Sequence, residues 1–236
     1  MSRFFSKSLI SPVILNGEDV KHMATVLRLR PGDTVTLCDG QGHECEAVLT
    51  AISKSEAVLD AGPIRLCDTE PTHRITLFQC LPKTGKMETV IQKGTELGLF
   101  ALRPTVSERC VALPGKDYNK KLERYRKVAE EAAKQSRRGV IPDILPPVEL
   151  ENADFSPYDT VLLAYEEEHT VTLKQALSSA GCHIALLIGP EGGFSPEEAE
   201  LLRQKGAVSV SLGPRILRTE TAGPAAIAQI LFCLEG

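Results

Sequence analysis

Residues 187–195 have the sequence LIGPEGGFS, and the interpretation of the fold starts from this stretch. The apolar residues 184–188 predict a strand that is covered on both faces. Ser195 predicts the N-cap of a helix over 196–204, because Pro196 takes its first position and two glutamates follow. In open α/β sheets ligands bind beyond the carboxyl ends of strands, and glycines there allow close approach to the backbone. A tight strand–helix turn that binds nothing remains an alternative.

A second stretch of the same kind, LGPRILRTETA, occupies residues 212–222. It follows a strand predicted over 208–212 and precedes a helix predicted over 221–234. Arg218 and Glu220 would be costly to bury unless they are paired or contact a ligand. Thr219 or Thr221 is a candidate helix cap. A cap with a surface ion pair is the alternative, but two glycine-containing turns at two strand ends together favour a ligand site.

The rest of the C-terminal part alternates between strand and helix patterns, which predicts an α/β domain with a mostly parallel sheet. Strands are predicted over 74–81, 99–106 and 160–165, and helices over 86–97, 119–136 and 172–178.

The N-terminal part has a different texture. Strands are predicted over 34–38, 44–49 and 55–64, with a hairpin turn at 39–42 and a short helix over 17–29. Short strands joined by tight turns are typical of a small barrel. The polar, proline-containing residues 69–73 are the candidate linker. The predicted division is therefore a β-rich domain over 1–68 and an α/β domain over 74–236.

Composition excludes several classes of protein. The 236 residues are 42% hydrophobic and 25% charged, as in ordinary globular proteins. The longest apolar runs fall short of the roughly eighteen residues that a membrane span needs, and the N-terminus lacks a signal-peptide pattern, so we expect a cytoplasmic protein. The seven cysteines are odd in number and without zinc spacing, which predicts reduced thiols and no metal site.

Common catalytic signatures are also absent from the sequence. The glycine-rich stretch is not G-x-G-x-x-G, and no Gly-Lys-Ser/Thr follows it, so the dinucleotide and triphosphate interpretations lack their motifs. None of the five histidines suggests a Ser/His/Asp site.

Charge is segregated along the chain, although the net charge of −4 by itself argues weakly against nucleic acid. Residues 1–30 contain five basic and two acidic residues, and residues 116–138 contain nine basic and four acidic ones. Residues 149–168 contain seven acids and no Lys or Arg. This pattern fits either an RNA-binding surface or two solvated surfaces without a partner.

Three further segments place polar groups near the ends of predicted elements: residues 92–98, 107–109 and 131–138. Taken singly, they are more typical of helix capping and solvated faces than of a functional site.

These stretches together resemble one family. The chain is similar to the ribosomal RNA small subunit methyltransferase E family. The matching segments are residues 189–194, residues 212–222, Arg3-Phe4-Phe5, His22 with residues 26–28, residues 93–98 and residues 131–138. The resemblance extends over essentially the whole chain. Cys110 stands where the family often has Ser.

The resemblance implies a SPOUT-class C-terminal domain, in which a parallel sheet contains a trefoil knot, and a PUA-like RNA-binding barrel at the N-terminus. It also implies a homodimer that uses S-adenosyl-L-methionine to methylate N3 of one uridine in the 16S rRNA of the small ribosomal subunit.

The resemblance further implies roles for individual residues. The expected catalytic residues are Glu191, Arg218 and Glu220, with either glutamate as the candidate base. The expected cofactor-binding residues are Leu163, Ile188, Gly189, Pro190, Glu191, Gly192, Leu212, Gly213, Ile216, Leu217 and Ala222. The expected RNA-binding residues are Arg3, Lys7, His22, Arg28, Lys93, Arg109, Gln135, Arg137 and Arg138.

Three alternatives remain open at this point. A methyltransferase of the same fold acting on another RNA site is the nearest. A non-catalytic RNA-binding assembly factor is the second, although Glu191, Arg218 and Glu220 argue against it. A nicotinamide-dependent enzyme is disfavoured by the missing motif.

Overall fold

The computed structural model describes residues 2–83, 85–115 and 117–236. Lys116, counted in the basic segment above, lies outside them. The chain forms two compact units. The first contains residues up to 70 together with 133–141, and the second contains residues 71–132 and 142–236. The sequence pattern does not reveal that residues 133–141 belong with the N-terminal unit. The linker at 69–73 stays a prediction.

The first unit is built on a six-stranded sheet in the order β1-β3-β4-β5-β2, with β6 paired to β4. Strand β1 is parallel to β3, and the other pairs are antiparallel. The elements are β1 (Arg3–Phe5), β2 (Val13–Asn16), α1 (Glu18–Lys21) with a π-helical turn (His22–Val26), β3 (Thr34–Cys38), β4 (His43–Ile52), β5 (Glu56–Ala61) and β6 (Arg65–Leu66).

Alternation of side chains makes the core of this unit. In β3, Val35 and Leu37 are fully buried while Thr34 is exposed, and Leu49, Leu59 and Met23 close the same core. The predicted strands and the hairpin between β3 and β4 are confirmed. The helix predicted over 17–29 is shorter, because α1 passes into a π-helical turn that ends at Val26.

The second unit carries a parallel sheet in the order β10-β8-β7-β12-β11-β13, with the short β9 also paired to β8. Its elements are β7 (Arg74–Cys80), α2 (Lys86–Glu96), β8 (Ala101–Val106), α3 (Tyr118–Gln135), β9 (Asp143–Ile144), β10 (Val148–Glu149), a 3-10 turn (Leu150–Asn152), β11 (Thr160–Ala164), α4 (Leu173–Ala176), a 3-10 turn (Leu177–Ser179), β12 (His183–Ile188), α5 (Pro196–Gln204), β13 (Val208–Val210) and α6 (Thr219–Glu235). The last residues of α3, from 133 onward, belong to the first unit.

The apolar strand β12 lies between β7 and β11, and its residues from Ile184 onward are buried, so the prediction of a central strand is confirmed. All the strands of this sheet run parallel, so their carboxyl ends meet at one edge. That edge brings together the segments that follow β11, β12 and β13.

Three local predictions at the second stretch are wrong: the end of the strand, the start of the helix and the helix cap. Strand β13 ends at Val210 rather than at residue 212, and α6 begins at Thr219. Arg218 occupies the N-cap position and makes no side-chain cap, so neither Thr219 nor Thr221 caps the helix. Ser195 does cap α5 as predicted, in a reciprocal capping box with Glu198.

Among the described residues, no helix has the length and apolar character that a membrane crossing requires. The trefoil knot stays a prediction.

Candidate active site

A cavity of about 630 Å³ lies at the carboxyl ends of β11, β12 and β13. The cavity is lined by Lys86, by Ala222 and by residues from three segments, 164–169, 188–194 and 210–219. This volume is in the range of small-molecule and cofactor sites. The position is the one that parallel α/β sheets use for ligands.

The glycine-rich turn after β12 is tightly packed. A Cβ at Gly193 would displace the carboxylate of Glu166, and the φ of 64° at Gly193 strains any residue other than glycine. A Cβ at Gly189 would lie 3.2 Å from the Cα of Gly193 and 3.3 Å from the ring of Phe194. The glycines therefore let this turn fold against itself and against the segment after β11.

A buried hydrogen-bond chain fixes the wall of the cavity. Nε2 of Gln79, at the end of β7, donates to Oγ1 of Thr219 at 2.9 Å. The Thr219 hydroxyl donates in turn to the carbonyl oxygen of Gly189 at 2.7 Å. This chain joins β7, the first residue of α6 and the glycine-rich turn.

An ammonium group lies between two of the predicted catalytic carboxylates. Nζ of Lys86 is 3.0 Å from Oε1 of Glu191 and 3.1 Å from Oε2 of Glu220. Hydrogen bonds to these carboxylates raise the pKa of Lys86 above its ordinary value. Lys86 is therefore a cation at neutral pH.

The two carboxylates show the opposite shift. Burial raises the pKa of Glu191, but hydrogen bonds from the Lys83 backbone N–H and from Lys86 outweigh it and hold the pKa below its usual range. For Glu220, a hydrogen bond from its own backbone N–H and the Lys86 ammonium likewise lower the pKa despite burial. Both carboxylates are therefore anions at neutral pH.

The segment between β13 and α6 forms the open side of the cavity. Gly213 has a φ of 116°, and a Cβ there would meet no atom within 4 Å. The Ser211 hydroxyl receives a hydrogen bond from the Gly213 N–H at 3.3 Å. Ile216 is 87% exposed, and the side chains of Arg215 and Arg218 are also exposed. This segment offers backbone, apolar and cationic groups to a ligand.

A third segment braces the glycine-rich turn from outside. The Arg109 guanidinium donates to the carbonyl oxygens of Gly192 at 2.9 Å and Phe194 at 3.3 Å. The backbone N–H of Glu108 donates to Oε1 of Glu198 at 2.7 Å. The structure shows the Arg109 guanidinium supporting this turn, and RNA binding by Arg109 stays a prediction.

The structure brings most of the predicted cofactor residues to the cavity. Its walls include Ile188, Gly189, Pro190, Glu191, Leu212, Gly213, Ile216, Leu217 and Ala222. Leu163 and Gly192 do not line the cavity, since Leu163 is fully buried in β11 and Gly192 faces Arg109. Glu191 and Arg218 line the cavity directly. Glu220 does not line it, but it forms an ion pair with Lys86, which does.

Sequence reasoning missed several cavity residues, among them Lys86, Tyr165, Glu166, His169, Phe194, Arg215 and Thr219. A weak signal existed for Arg215, Thr219 and Phe194, which lie inside the quoted stretches. The position of Lys86 and of residues 165–169 follows only from the order of the strands in the sheet.

The predicted RNA-binding residues divide into exposed and internal groups. Arg3 is paired with Glu44 at 2.7 Å, and Arg138, 4% exposed, is paired with Glu70 at 2.6 Å. These two side chains hold the first unit together. Lys93 pairs with Glu96 on α2. The side chains of Lys7, His22, Arg28, Gln135 and Arg137 are exposed.

Three potential metal-binding side chains lie within 4.8 Å of one another in the first unit: Glu44, Cys67 and Asp68. Both Glu44 oxygens already accept hydrogen bonds from Arg3 and Arg65. The carboxylate is thus engaged by two guanidinium groups.

Comparison with known proteins places this fold and cavity in a class. A family model described as an RNA methyltransferase domain matches residues 68–231, and one described as an RNA methyltransferase PUA domain matches residues 15–61. The fold is thus that of an RNA methyltransferase, an α/β domain with a parallel sheet preceded by a PUA domain.

Curated relatives narrow the class. Ribosomal RNA small subunit methyltransferase E of Bacillus subtilis is 34% identical over 230 residues, which cover 94% of this chain and 90% of that one. The protein of the same name from Mycobacterium bovis is also 34% identical, over 92% of this chain and 85% of its own length. The chain belongs to the ribosomal RNA small subunit methyltransferase E family.

A solved structure agrees with this assignment. The crystal structure of a ribosomal RNA small subunit methyltransferase E from Neisseria gonorrhoeae bound to S-adenosyl methionine is 32% identical. It superimposes with a TM-score of 0.88 over 98% of this chain and 97% of that chain.

Proposed function

We propose that this protein transfers a methyl group from S-adenosyl-L-methionine to N3 of one uridine in the 16S rRNA of the small ribosomal subunit. In this proposal it works in the cytoplasm as a homodimer, and its C-terminal domain forms a trefoil knot. The observation that carries the proposal is the cavity between the glycine-rich turn and the segment 211–218, in a chain of this family.

The residues present fit the proposed cofactor. The cavity has room for a nucleoside joined to an amino acid, and its glycines allow backbone contact. Ile188, Leu212, Leu217 and Ala222 would pack against the adenine, and the backbone of Gly189 and Gly213 would lie against the rest of the ligand. When bound, the sulfonium of the cofactor supplies an electrophilic methyl carbon.

The remaining chemistry falls to side chains of this chain. Uracil N3–H is a weak nucleophile until it loses its proton, so the site needs a base or cationic donors near O2 and O4. Arg218 would orient the uracil and stabilise its developing negative charge. Glu191 and Glu220 are the candidate bases, since both are ionised, Glu191 lines the cavity and Glu220 pairs with the cavity residue Lys86.

The target nucleotide has to be accessible on its pairing edge. N3 takes part in Watson–Crick pairing, so the uridine must be unpaired or flipped out of a stack. The exposed cations Lys7, Arg28 and Arg137 would contact phosphates, and this contribution would weaken as salt rises. The PUA domain would thus hold RNA while the α/β domain performs the transfer.

The test is methylation of small ribosomal subunits from cells that lack this modification. The subunits are incubated with labelled S-adenosylmethionine, and the digested rRNA is analysed by mass spectrometry. A single labelled 3-methyluridine is the expected product. Label in another nucleoside of the rRNA would overturn the proposed position, and absence of cofactor binding by calorimetry would overturn the enzyme class.

A further inference from the structure

Lys86 occupies a position that the sequence did not single out. It is the first residue of α2, directly after Gly85, whose φ of 88° turns the chain into the helix. This places the side chain, 27% exposed, at the cavity. Its ammonium reaches two carboxylates from different parts of the chain, Glu191 after β12 and Glu220 in the first turn of α6.

The geometry leaves at least one donor of this ammonium for a ligand. A protonated lysine has three N–H donors and no acceptor. One donates to Oε1 of Glu191 at 3.0 Å, and the ammonium forms an ion pair with Oε2 of Glu220 at 3.1 Å, an oxygen without a hydrogen-bond partner among the described residues. The Glu191 carboxylate is itself held by the backbone N–H of Lys83 at 3.0 Å. The ammonium is therefore fixed from two sides while its residue lines the cavity.

The charges of Glu191 and Glu220 make Lys86 a hydrogen-bond donor rather than a base. Lys86 stays protonated because its carboxylate partners raise its pKa, and both partners remain anionic because Lys86 and backbone N–H groups lower theirs. The three groups together carry one negative charge, and the positive charge of Arg218 acts on Glu220. A cation held in this way acts as a preorganised hydrogen-bond donor toward developing negative charge.

We propose that Lys86 is a catalytic residue whose third N–H donates to a carbonyl oxygen of the target base. This rests on the proposed function, uridine N3 methylation. As N3 gives up its proton to solvent, negative charge spreads to the flanking carbonyl oxygens, and the Lys86 ammonium stabilises that charge. The N3 lone pair then forms the bond to the methyl carbon, and the carbon–sulfur bond breaks with its electron pair remaining on sulfur.

The proposal assigns different parts to the neighbouring carboxylates. Glu191 and Glu220 position Lys86, and this role replaces the role of base for which both are candidates in the proposed function. It also defines the substrate class, a base in which the methylated nitrogen is flanked by carbonyl groups. A ribose hydroxyl or an adenine ring nitrogen offers no such oxygen to Lys86.

The experiment compares Lys86→Met with Lys86→Arg and with a matched control, Lys174→Met, an exposed lysine of α4. Thermal unfolding and calorimetric binding of S-adenosylmethionine come first. We expect Lys86→Met to keep cofactor affinity within about threefold and to lower kcat by about 100-fold, as for loss of one oxyanion donor. Lys86→Arg should lose less, about tenfold, because the charge remains, and Lys174→Met should match the wild type.

A second readout separates catalysis from support of the fold. Small subunits reconstituted with 5-fluorouridine-containing rRNA present a more acidic N3–H. The decrease in kcat caused by Lys86→Met should be smaller on this substrate, because the N3 anion needs less stabilisation. Should Lys86→Met fail to fold, Lys86→Gln replaces it in both assays.

The outcomes are distinguishable. A wild-type enzyme that binds the cofactor but does not methylate uridine would overturn the proposed function. If the wild type methylates uridine, an equal deficit of Lys86→Met on both substrates, or a loss of cofactor affinity that accounts for the whole deficit, would overturn the role of Lys86 alone.

Discussion

The hydroxyl of Thr219 donates a 2.7 Å hydrogen bond to the carbonyl oxygen of Gly189, and it does so while accepting one from Gln79. Thr219 is 5% exposed and Gln79 is fully buried. The two strand-end stretches of the sequence are thus tied together through one side chain. Because buried donors and acceptors that lose their partner are costly, this contact should control the shape of the cavity.

Replacement of Thr219 by Val removes the hydroxyl at nearly constant volume. The carbonyl oxygen of Gly189 then loses the Thr219 hydroxyl, and Gln79 Nε2 keeps only the carbonyl oxygen of Cys80 at 3.2 Å, so we expect a loss of about 2 kcal/mol in the free energy of unfolding. Affinity for S-adenosylmethionine should fall about tenfold. Thr219→Ser should stay close to the wild type. The measurements are urea denaturation and calorimetry, with Thr221→Val, an exposed neighbour, as the control. Unchanged affinity of Thr219→Val would contradict this role.

Two glycines provide a matched test of backbone approach to the ligand. Gly213 (φ 116°) lies at the cavity and Gly206 (φ 91°) lies outside it, and a Cβ at either position meets no atom within 4 Å. Both alanine variants should therefore lose about 1–2 kcal/mol of stability from backbone strain. Only Gly213→Ala should weaken S-adenosylmethionine binding, by about tenfold, because its methyl group occupies space beside the cavity. Equal affinities in calorimetry would show that the ligand does not approach this backbone.

Elements with strong periodicity were predictable from the sequence. The strand β12 has five buried apolar residues in a row, and α5 has a serine cap with proline at its first position, so both appear at nearly the expected residues. Strands β1, β2, β6, β9 and β10 were missed, because two to four residues are too few to show a period. Their pairing depends on tertiary contacts.

The site was predictable where it is continuous in sequence. Gly189 and Glu191 lie in one glycine-rich turn, and Leu212 and Arg218 in another, so the pattern identified both walls. Lys86 is 105 residues from Glu191 along the chain. It comes to the site because β7, which precedes it, lies beside β12 in the sheet. Residue types alone do not predict that Lys86 and Glu191 come together, because this depends on the order of the strands in the sheet.

Glu44 is the centre of an ion-pair cluster in the first unit. Its side chain is 3% exposed, and its oxygens bind Arg3 at 2.7 Å and Arg65 at 2.9 Å. Removal of one partner from a buried pair leaves an uncompensated charge, so Glu44→Gln should lower the free energy of unfolding by about 3 kcal/mol in urea denaturation at pH 7. Glu46→Gln, on the exposed face of the same strand, should have little effect.

The stabilisation of the fold by Glu44 should decrease at acidic pH. Burial raises the pKa of this carboxyl, but the hydrogen bond from Cys67 and the charges of Arg3 and Arg65 outweigh it and lower the pKa. Its stabilisation is therefore complete above the ordinary glutamate pKa of about 4.3 and is lost as pH falls through the lower folded value. The difference between wild type and Glu44→Gln should be constant from about pH 7 to 5 and shrink below about pH 4. A difference that grows on acidification would refute this assignment.

Cys110 should be a thiolate at neutral pH. A hydrogen bond from the buried Cys80 lowers the pKa of Cys110, and the Ser107 hydroxyl and backbone N–H lower it further. Burial of Cys110 raises this pKa, but the hydrogen bonds outweigh burial and the pKa is about 6. The Cys110 sulfur lies 3.3 Å from the Ser107 hydroxyl and 3.4 Å from its nitrogen. Absorbance at 240 nm should therefore show a titration near pH 6 that Cys110→Ser abolishes and that Ser107→Ala moves to higher pH. Cys182→Ser, at an exposed cysteine, should leave it unchanged. A titration of Cys110 at the ordinary cysteine value of about 8.5 would mean that these donors do not stabilise the thiolate.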